Sequence, residues 1–219
     1  MRIWGWAMPG PAIKICGISS ASALDAAIAA RADYVGLVFY PPSPRYLSLP
    51  EAAALGRRAA GRIAKVGLFV DADEWAIAAA IEAGGLDALQ LHGSETPVQA
   101  ARLRARFGLP VWKALAVASR DDLRGMANYS GAADLILFDA KTPKGGLPGG
   151  MGLAFDWSLL AGYRGALPWG LAGGLSPENV GQALAITQAP LVDTSSGVES
   201  APGVKDVDRI AAFCEAARR

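Results

Sequence analysis

Metal-binding residues are scarce in this sequence: one histidine, His92, and two cysteines, Cys16 and Cys214, stand among 219 residues. They form no CxxC pair and no Cys/His cluster, so nothing points to a metal site, and two distant cysteines make no disulfide framework for a chain this size. The expectation is no metal and a cytoplasmic protein with reduced thiols. An excess of either charge is also lacking. Lys and Arg number 21 against 20 Asp and Glu, a formal net charge of +1, which argues against a nucleic-acid binder or a polybasic membrane binder. No apolar run approaches the ~20 residues that span a bilayer. The opening MRIWGWAMPGPA carries one Arg and no long apolar stretch, so it does not read as a secretory signal. Residues 1–11 are expected to be an extension of little function, with Met8 an alternative start to Met1. A GxGxxG turn is missing near the first strand-like run, where CGISSAS stands, and this counts against a doubly wound dinucleotide-binding sheet.

What the sequence has is alternation. Apolar residues make up 52 % of the chain, enough for a large core. Short β-branched or aromatic runs fall at 12–16, 34–39, 64–70, 86–91, 110–115, 134–139, 168–172 and 190–195. Between and after them lie Ala-rich helical patterns at 22–32, 50–61, 73–84, 97–108, 119–129, 154–163, 177–187 and 204–219. Thr96-Pro97 and Ser176-Pro177-Glu178 read as helix starts. Eight strand-then-helix units in one domain predict a parallel eight-stranded (β/α)8 barrel over residues 12–219, closed by right-handed crossovers.

A barrel carries its chemistry at the carboxyl ends of its strands. Those positions hold Cys16, Arg45 within Tyr40-Pro41-Pro42-Ser43-Pro44-Arg45, Asp71, His92, Asp139 with Lys141, Gly173-Gly174, and Asp193 with Ser195-Ser196-Gly197. The adjacent Gly-Gly and Ser-Ser-Gly loops predict a phosphate seat around Gly173, Gly174, Ser196 and Gly197, where glycine permits unusual dihedrals and close backbone approach. Cys16 ends the first strand and Gly17 after it clears space for a ligand; a thiol can serve as a carbon-acid base. Cys214, on a terminal amphipathic helix, is packing. Asp139 ends a strongly apolar strand. It is either a core Asp satisfied by hydrogen bonds or a carboxyl at a dry mouth, where burial favours the protonated form a general acid needs. Asp71 and Asp193 are parallel cases. Arg45 can fork onto a carboxylate; Lys141 and Lys144 add positive field to a loop; His92 is either catalytic or a supporting wall.

These residues resemble the phosphoribosylanthranilate isomerase family of tryptophan biosynthesis. The likeness rests on KICGI (14–18), GLVFYPPSPRYLS (36–48), KVGLFVD (65–71), LQLHG (89–93), LFDAK (137–141), LPGGMGLAFDWSLL (147–160), LAGGLSPENV (171–180) and DTSSGVESAPGVKD (193–206). They span nearly the whole chain after the first dozen residues. The resemblance implies an Amadori rearrangement, with Cys16 as general base, Asp139 as general acid and Arg45 on the anthranilate carboxylate. It puts the phosphate on the Gly173, Gly174, Ser196 and Gly197 amides, and His92 and Asp193 in the pocket lining. Thr194 and Met151 depart from the commoner residues of the family and touch neither acid nor base. No cofactor is implied, and the partner is a small phosphorylated substrate. The chain is expected to be a monomer or homodimer. A histidine-pathway isomerase would carry an aspartate where Cys16 stands, and a non-catalytic sugar-phosphate module would not need both Cys16 and Asp139.

Overall fold

Ala12–Cys16 (β1), Tyr34–Val38 (β2), Ala64–Phe69 (β3), Ala88–Leu91 (β4), Val111–Val117 (β5), Leu135–Ala140 (β6), Trp169–Leu171 (β7) and Leu191–Thr194 (β8) pair side by side in chain order in the computed structural model, which describes residues 10–140 and 156–219. β8 returns to β1, every pairing is parallel, and the eight strands close into a barrel. Helices Ala21–Ala29 (α1), Leu49–Ala59 (α2), Glu74–Gly84 (α3), Pro97–Phe107 (α4), Val180–Thr187 (α5) and Val207–Ala216 (α6) pack outside it. The expected (β/α)8 barrel is the fold. Residues 1–9, Lys141, Lys144, Met151 and the rest of the KTPKGGLPGGMG loop lie outside the described residues.

Strand periodicity divides the barrel into two cores. Ile13 and Ile15, Leu89 and Leu91, Ile136 and Phe138, and Val192 point outward and bury against the helices. The alternate residues point inward, where Val66, Ala88, Trp112, Leu135, Leu137 and Leu191 fill the interior. Trp112 meets Tyr34 edge-on at 5.0 Å between centroids, near the amino ends of β5 and β2. The interior is thus packed rather than open.

Helix starts follow local capping. At α4 the Thr96 hydroxyl accepts from Gln99 N while the Gln99 side chain accepts from Thr96 N, a reciprocal cap worth about 1 kcal/mol. At Ser176-Pro177-Glu178 the expected start falls one turn early. Asn179 is the cap, its carbonyl oxygen taking Ser176 N at 2.8 Å, and α5 begins at Val180.

Three further expectations are corrected. The helical pattern at 119–129 forms a 3-10 segment, Asp122–Tyr129, because Asp122 draws the amides of Ala118 and Ser119 to its own carboxylate and Gly125 weakens helix propagation. The stretch at 154–163 is described from Asp156 and holds only a short 3-10 turn, Trp157–Leu160. The pattern from residue 204 is helical only from Val207. Before it, Glu199–Ala201 (β9) and Val204–Lys205 (β10) form an antiparallel hairpin around Pro202-Gly203. That hairpin matters for the site.

Candidate active site

Period-2 alternation along β1 puts Lys14 and Cys16 on the inner face, and the same rule turns Asp139 of β6 and Asp193 of β8 inward. Lys14 and Asp193 are register partners across the β1–β8 seam. The Lys14 ammonium donates to both Asp193 oxygens at 3.0 and 3.1 Å, with no solvent exposure of its own. Its charge also acts on the Cys16 sulfur, the next inward residue of β1. Burial alone would lower the pKa of the Lys14 ammonium, yet Asp193 and Cys16 more than offset this and hold it above its usual value. Burial pushes the Cys16 thiol up, against the downward pull of Lys14. Asp193 is likewise pushed up by burial, opposed by Lys14.

Cys16 packs with Val38 and Leu68 inside the barrel. Gly36, opposite it on β2, leaves the sulfur its room: a Cβ there would lie 2.7 Å from Sγ. Cys214 sits in the outer helix layer as expected, and burial drives its thiol to about 11.

Asp139, 7 % exposed, is held at both oxygens. Its Oδ1 accepts from Ala140 N at 2.8 Å, and His92 Nε2 lies 3.1 Å from Oδ2. Gln90 Nε2 donates to His92 Nδ1 at 2.9 Å, so in the neutral ring the proton sits on Nε2 and is donated to Asp139. His92 therefore touches the proposed acid directly. Asp71 has a different job: at φ 49° it accepts both Ser94 N and Ser94 Oγ at 2.8 Å, bracing the loop after His92. That loop is also pinned from below. Glu95 takes Asp71 N and Gly93 N, and a buried Lys113 bonds Glu95 and the Gly93 carbonyl.

Arg45 is no solvated loop arginine; it is 8 % exposed. Its guanidinium forks onto Glu199, Nε to Oε1 at 2.7 Å and Nη2 to Oε2 at 2.8 Å. The room that Gly17 clears is taken by the Arg45 stem, since a Cβ at Gly17 would lie 2.6 Å from Arg45 Cδ. The expectation of ligand space over Gly17 is corrected accordingly: it seats Arg45 beside Cys16. Lys205, from the β9–β10 hairpin, bonds Glu199 at 2.6 Å and also the carbonyl and hydroxyl of Ser195. Burial would raise the Glu199 carboxyl, but Arg45 and Lys205 hold it down at about 2.

The two glycine loops abut. Gly173 and Gly174 have φ of 85° and 64°, left-handed conformations that favour glycine. Gly197 is needed for space instead, because a Cβ there would lie 1.9 Å from the Leu175 carbonyl. Thr194 donates to that same carbonyl at 2.6 Å, so the residue that departs from the family pattern braces the loop. Neighbouring carbonyls are also engaged: Gly174 O by Asn179, Ser195 O by Lys205 and Gly197 O by Arg209. Gly173 borders the acid, its absent Cβ falling 3.0 Å from Asp139 Oδ1.

All nine expected site residues thus stand at or beside the carboxyl end of the barrel. Sequence reasoning missed Lys14, Gly36, Gln90, Glu199 and Lys205. Lys14 could have been found from alternation with Cys16, and Gln90 from alternation with His92. Glu199 and Lys205 gave no such signal, because their partners are 154 residues away or across a hairpin.

Comparison with known proteins agrees with this geometry. The family model for N-(5'phosphoribosyl)anthranilate (PRA) isomerase matches residues 13–216. The N-(5'-phosphoribosyl)anthranilate isomerase of Paramagnetospirillum magneticum is 53 % identical over 207 residues, 94 % of this chain and 96 % of that protein. That of Cereibacter sphaeroides is 54 % identical over 212 residues, covering 96 % and 100 %. Among solved structures, the phosphoribosyl anthranilate isomerase of Thermotoga maritima superposes with a TM-score of 0.85 at 37 % identity, over 95 % of this chain and 98 % of that one. The chain belongs to the N-(5'-phosphoribosyl)anthranilate isomerase family.

Proposed function

We propose that this isomerase works by general acid/base catalysis, with Asp139 as the acid and Cys16 as the base. As a member of its family it rearranges N-(5-phosphoribosyl)anthranilate to 1-(2-carboxyphenylamino)-1-deoxyribulose 5-phosphate, a step of tryptophan biosynthesis. Asp139 gives a proton to the furanose oxygen, the C1–O bond breaks toward that oxygen, and the nitrogen lone pair forms an iminium. The iminium acidifies the C2–H bond. Cys16 as thiolate takes that proton, the C–H pair becomes the C1=C2 bond, and the nitrogen recovers its pair. The enolamine then tautomerises to the ketose. The substrate's own nitrogen is the electron sink, so the chemistry asks for no cofactor. Each proton-transfer group typically contributes about 10²–10⁴-fold.

The observation that carries this reading is the shared interior: Cys16 and Asp139 face inward at one end of the barrel, with the Lys14–Asp193 and His92–Asp139 pairs at the same end. A fluorescence assay following loss of phosphoribosylanthranilate tests it. A related isomerase has been solved with reduced 1-(o-carboxyphenylamino)-1-deoxyribulose 5-phosphate, at 34 % identity and a TM-score of 0.83. We place the phosphate of the substrate on the Gly173, Gly174, Ser196 and Gly197 amides, with His92 and Asp193 lining the pocket. Arg45, fixed by Glu199, supplies positive charge for the anthranilate carboxylate. Arg45→Ala should mainly raise KM, because the carboxylate is remote from the reacting carbons; a pure kcat loss in steady-state assays contradicts that role.

The pH dependence follows from burial of Cys16. A thiol pushed above its ordinary range is mostly protonated at neutrality, so kcat/KM should climb with pH through 7 and still be rising near ~8.5. A profile already flat at pH 7 in kinetics on the free enzyme counts against a buried thiol base.

Residues 12–219 act as one catalytic domain in this reading. No helix among the described residues is long and apolar enough to cross a membrane; with two free thiols, we assign the enzyme to the cytoplasm. One Thermotoga maritima relative is described as dimeric, and for this chain a monomer or homodimer is proposed, to be read by light scattering.

A further inference from the structure

Lys14 is the largest polar side chain sealed inside the barrel, and the acid/base chemistry above does not use it. It has no exposure, and the interior around it is built from residues such as Val66, Trp112 and Leu137. An ammonium there is costly to desolvate unless its protons are bonded. Two oxygens of Asp193 supply that bonding at 3.0 and 3.1 Å, and the Cys16 sulfur, the next inward residue of β1, lies within reach of the charge. An ion pair needed only for packing has no reason to stand one inward position from the sulfur of the base.

We propose that Lys14 is a positioning residue for the base: its ammonium, clamped by Asp193 one inward position before Cys16, favours the thiolate whenever the sulfur ionises, and Asp193 limits how much positive charge the sulfur feels. The inference rests on the reading of Cys16 as base. Lys14 keeps all three protons throughout. When the thiolate takes the C2 proton, a neutral thiol replaces a sulfur–ammonium pair, and the Lys14–Asp193 bonds remain. The other charges that face Cys16 are accounted for. Lys205 from the β9–β10 hairpin pulls in the same direction as Lys14 but is bonded to Glu199; Asp193 from β8 acts against it. Arg45 covers Gly17, with its guanidinium on Glu199. From β2, β3 and the residues just past them come Gly36, Val38 and Leu68, with Tyr40 and Val70 packed against that cluster.

The test is the rate of Cys16 alkylation by iodoacetamide against pH, read by mass spectrometry on the Cys16 peptide of the full chain, with no substrate present. The midpoint reports thiolate formation and the alkaline plateau reports access. Lys14→Met should raise the midpoint by about one pH unit, so alkylation at pH 7.5 slows about tenfold while the plateau holds. Lys14→Arg should stay within about twofold of the parent. Asp193→Asn should move the midpoint the opposite way and speed alkylation severalfold at pH 7.5. A purely structural pair would not give opposite signs. An unmoved midpoint in Lys14→Met overturns the proposal. Should that variant fail to fold, unchanged or slower alkylation in Asp193→Asn overturns it, and faster alkylation supports it. Because this readout needs no turnover, it separates from the base assignment, which stands or falls on the activity of Cys16→Ser.

Discussion

Replacing Cys16 by serine is expected to lower kcat by at least about 10²-fold while the barrel stays folded. The change swaps sulfur for a smaller oxygen. It cannot clash with Gly36, which already tolerates Sγ. What the serine cannot inherit is basicity: an alcohol ionises far less readily than a thiol, and a buried one no better. A hundredfold loss is about 2.7 kcal/mol of transition-state stabilisation, well above what a small packing change transmits to a reaction. The check pairs kcat with the melting temperature. Full turnover in a folded Cys16→Ser variant removes the sulfur from the mechanism.

Asp139→Asn should cost a similar factor for a different reason. The amide keeps the shape and can still accept the Ala140 N–H at one end. At the other end an –NH2 would meet His92 Nε2–H, donor against donor, unless the amide flips or the ring changes tautomer. More decisively, an amide does not release a proton to the furanose oxygen near neutrality, so ring opening loses its acid. The loss should lie in kcat and kcat/KM together, with KM little changed. Near-normal rates would shift the acid role to another group, and His92, already bonded to Asp139, is the first to test.

The positions of these two groups were legible because each sits at the end of an apolar strand, and in a parallel barrel strand ends converge. Gly173 and Gly174 were legible for the same reason, as was the sense of Thr96-Pro97. Other features resisted. Arg45 reads as a loop residue in a Pro-rich turn, yet it is buried by the Glu199–Lys205 hairpin, whose strands are three and two residues long. Elements that short carry too little periodicity to be seen, and here the second of them lay inside what read as the start of a helix. The 3-10 segments failed for a related reason: apolar spacing does not separate i+3 from i+4 hydrogen bonding when an Asp side chain captures the amides that would begin an α-helix.

Alternation of apolar runs with Ala-rich stretches, a physical consequence of strand period 2 and helix period 3.6, was enough by itself to determine the eightfold parallel barrel and the end of it that carries the polar groups. The motifs along it were enough to suggest the family. Only the tertiary structure decided which charges neutralise which, because Lys14 with Asp193 and Arg45 with Glu199 pair over 179 and 154 residues of chain. Electrostatic partners inside a closed barrel are set by register across the closing seam and by loop packing, and neither is written in local sequence.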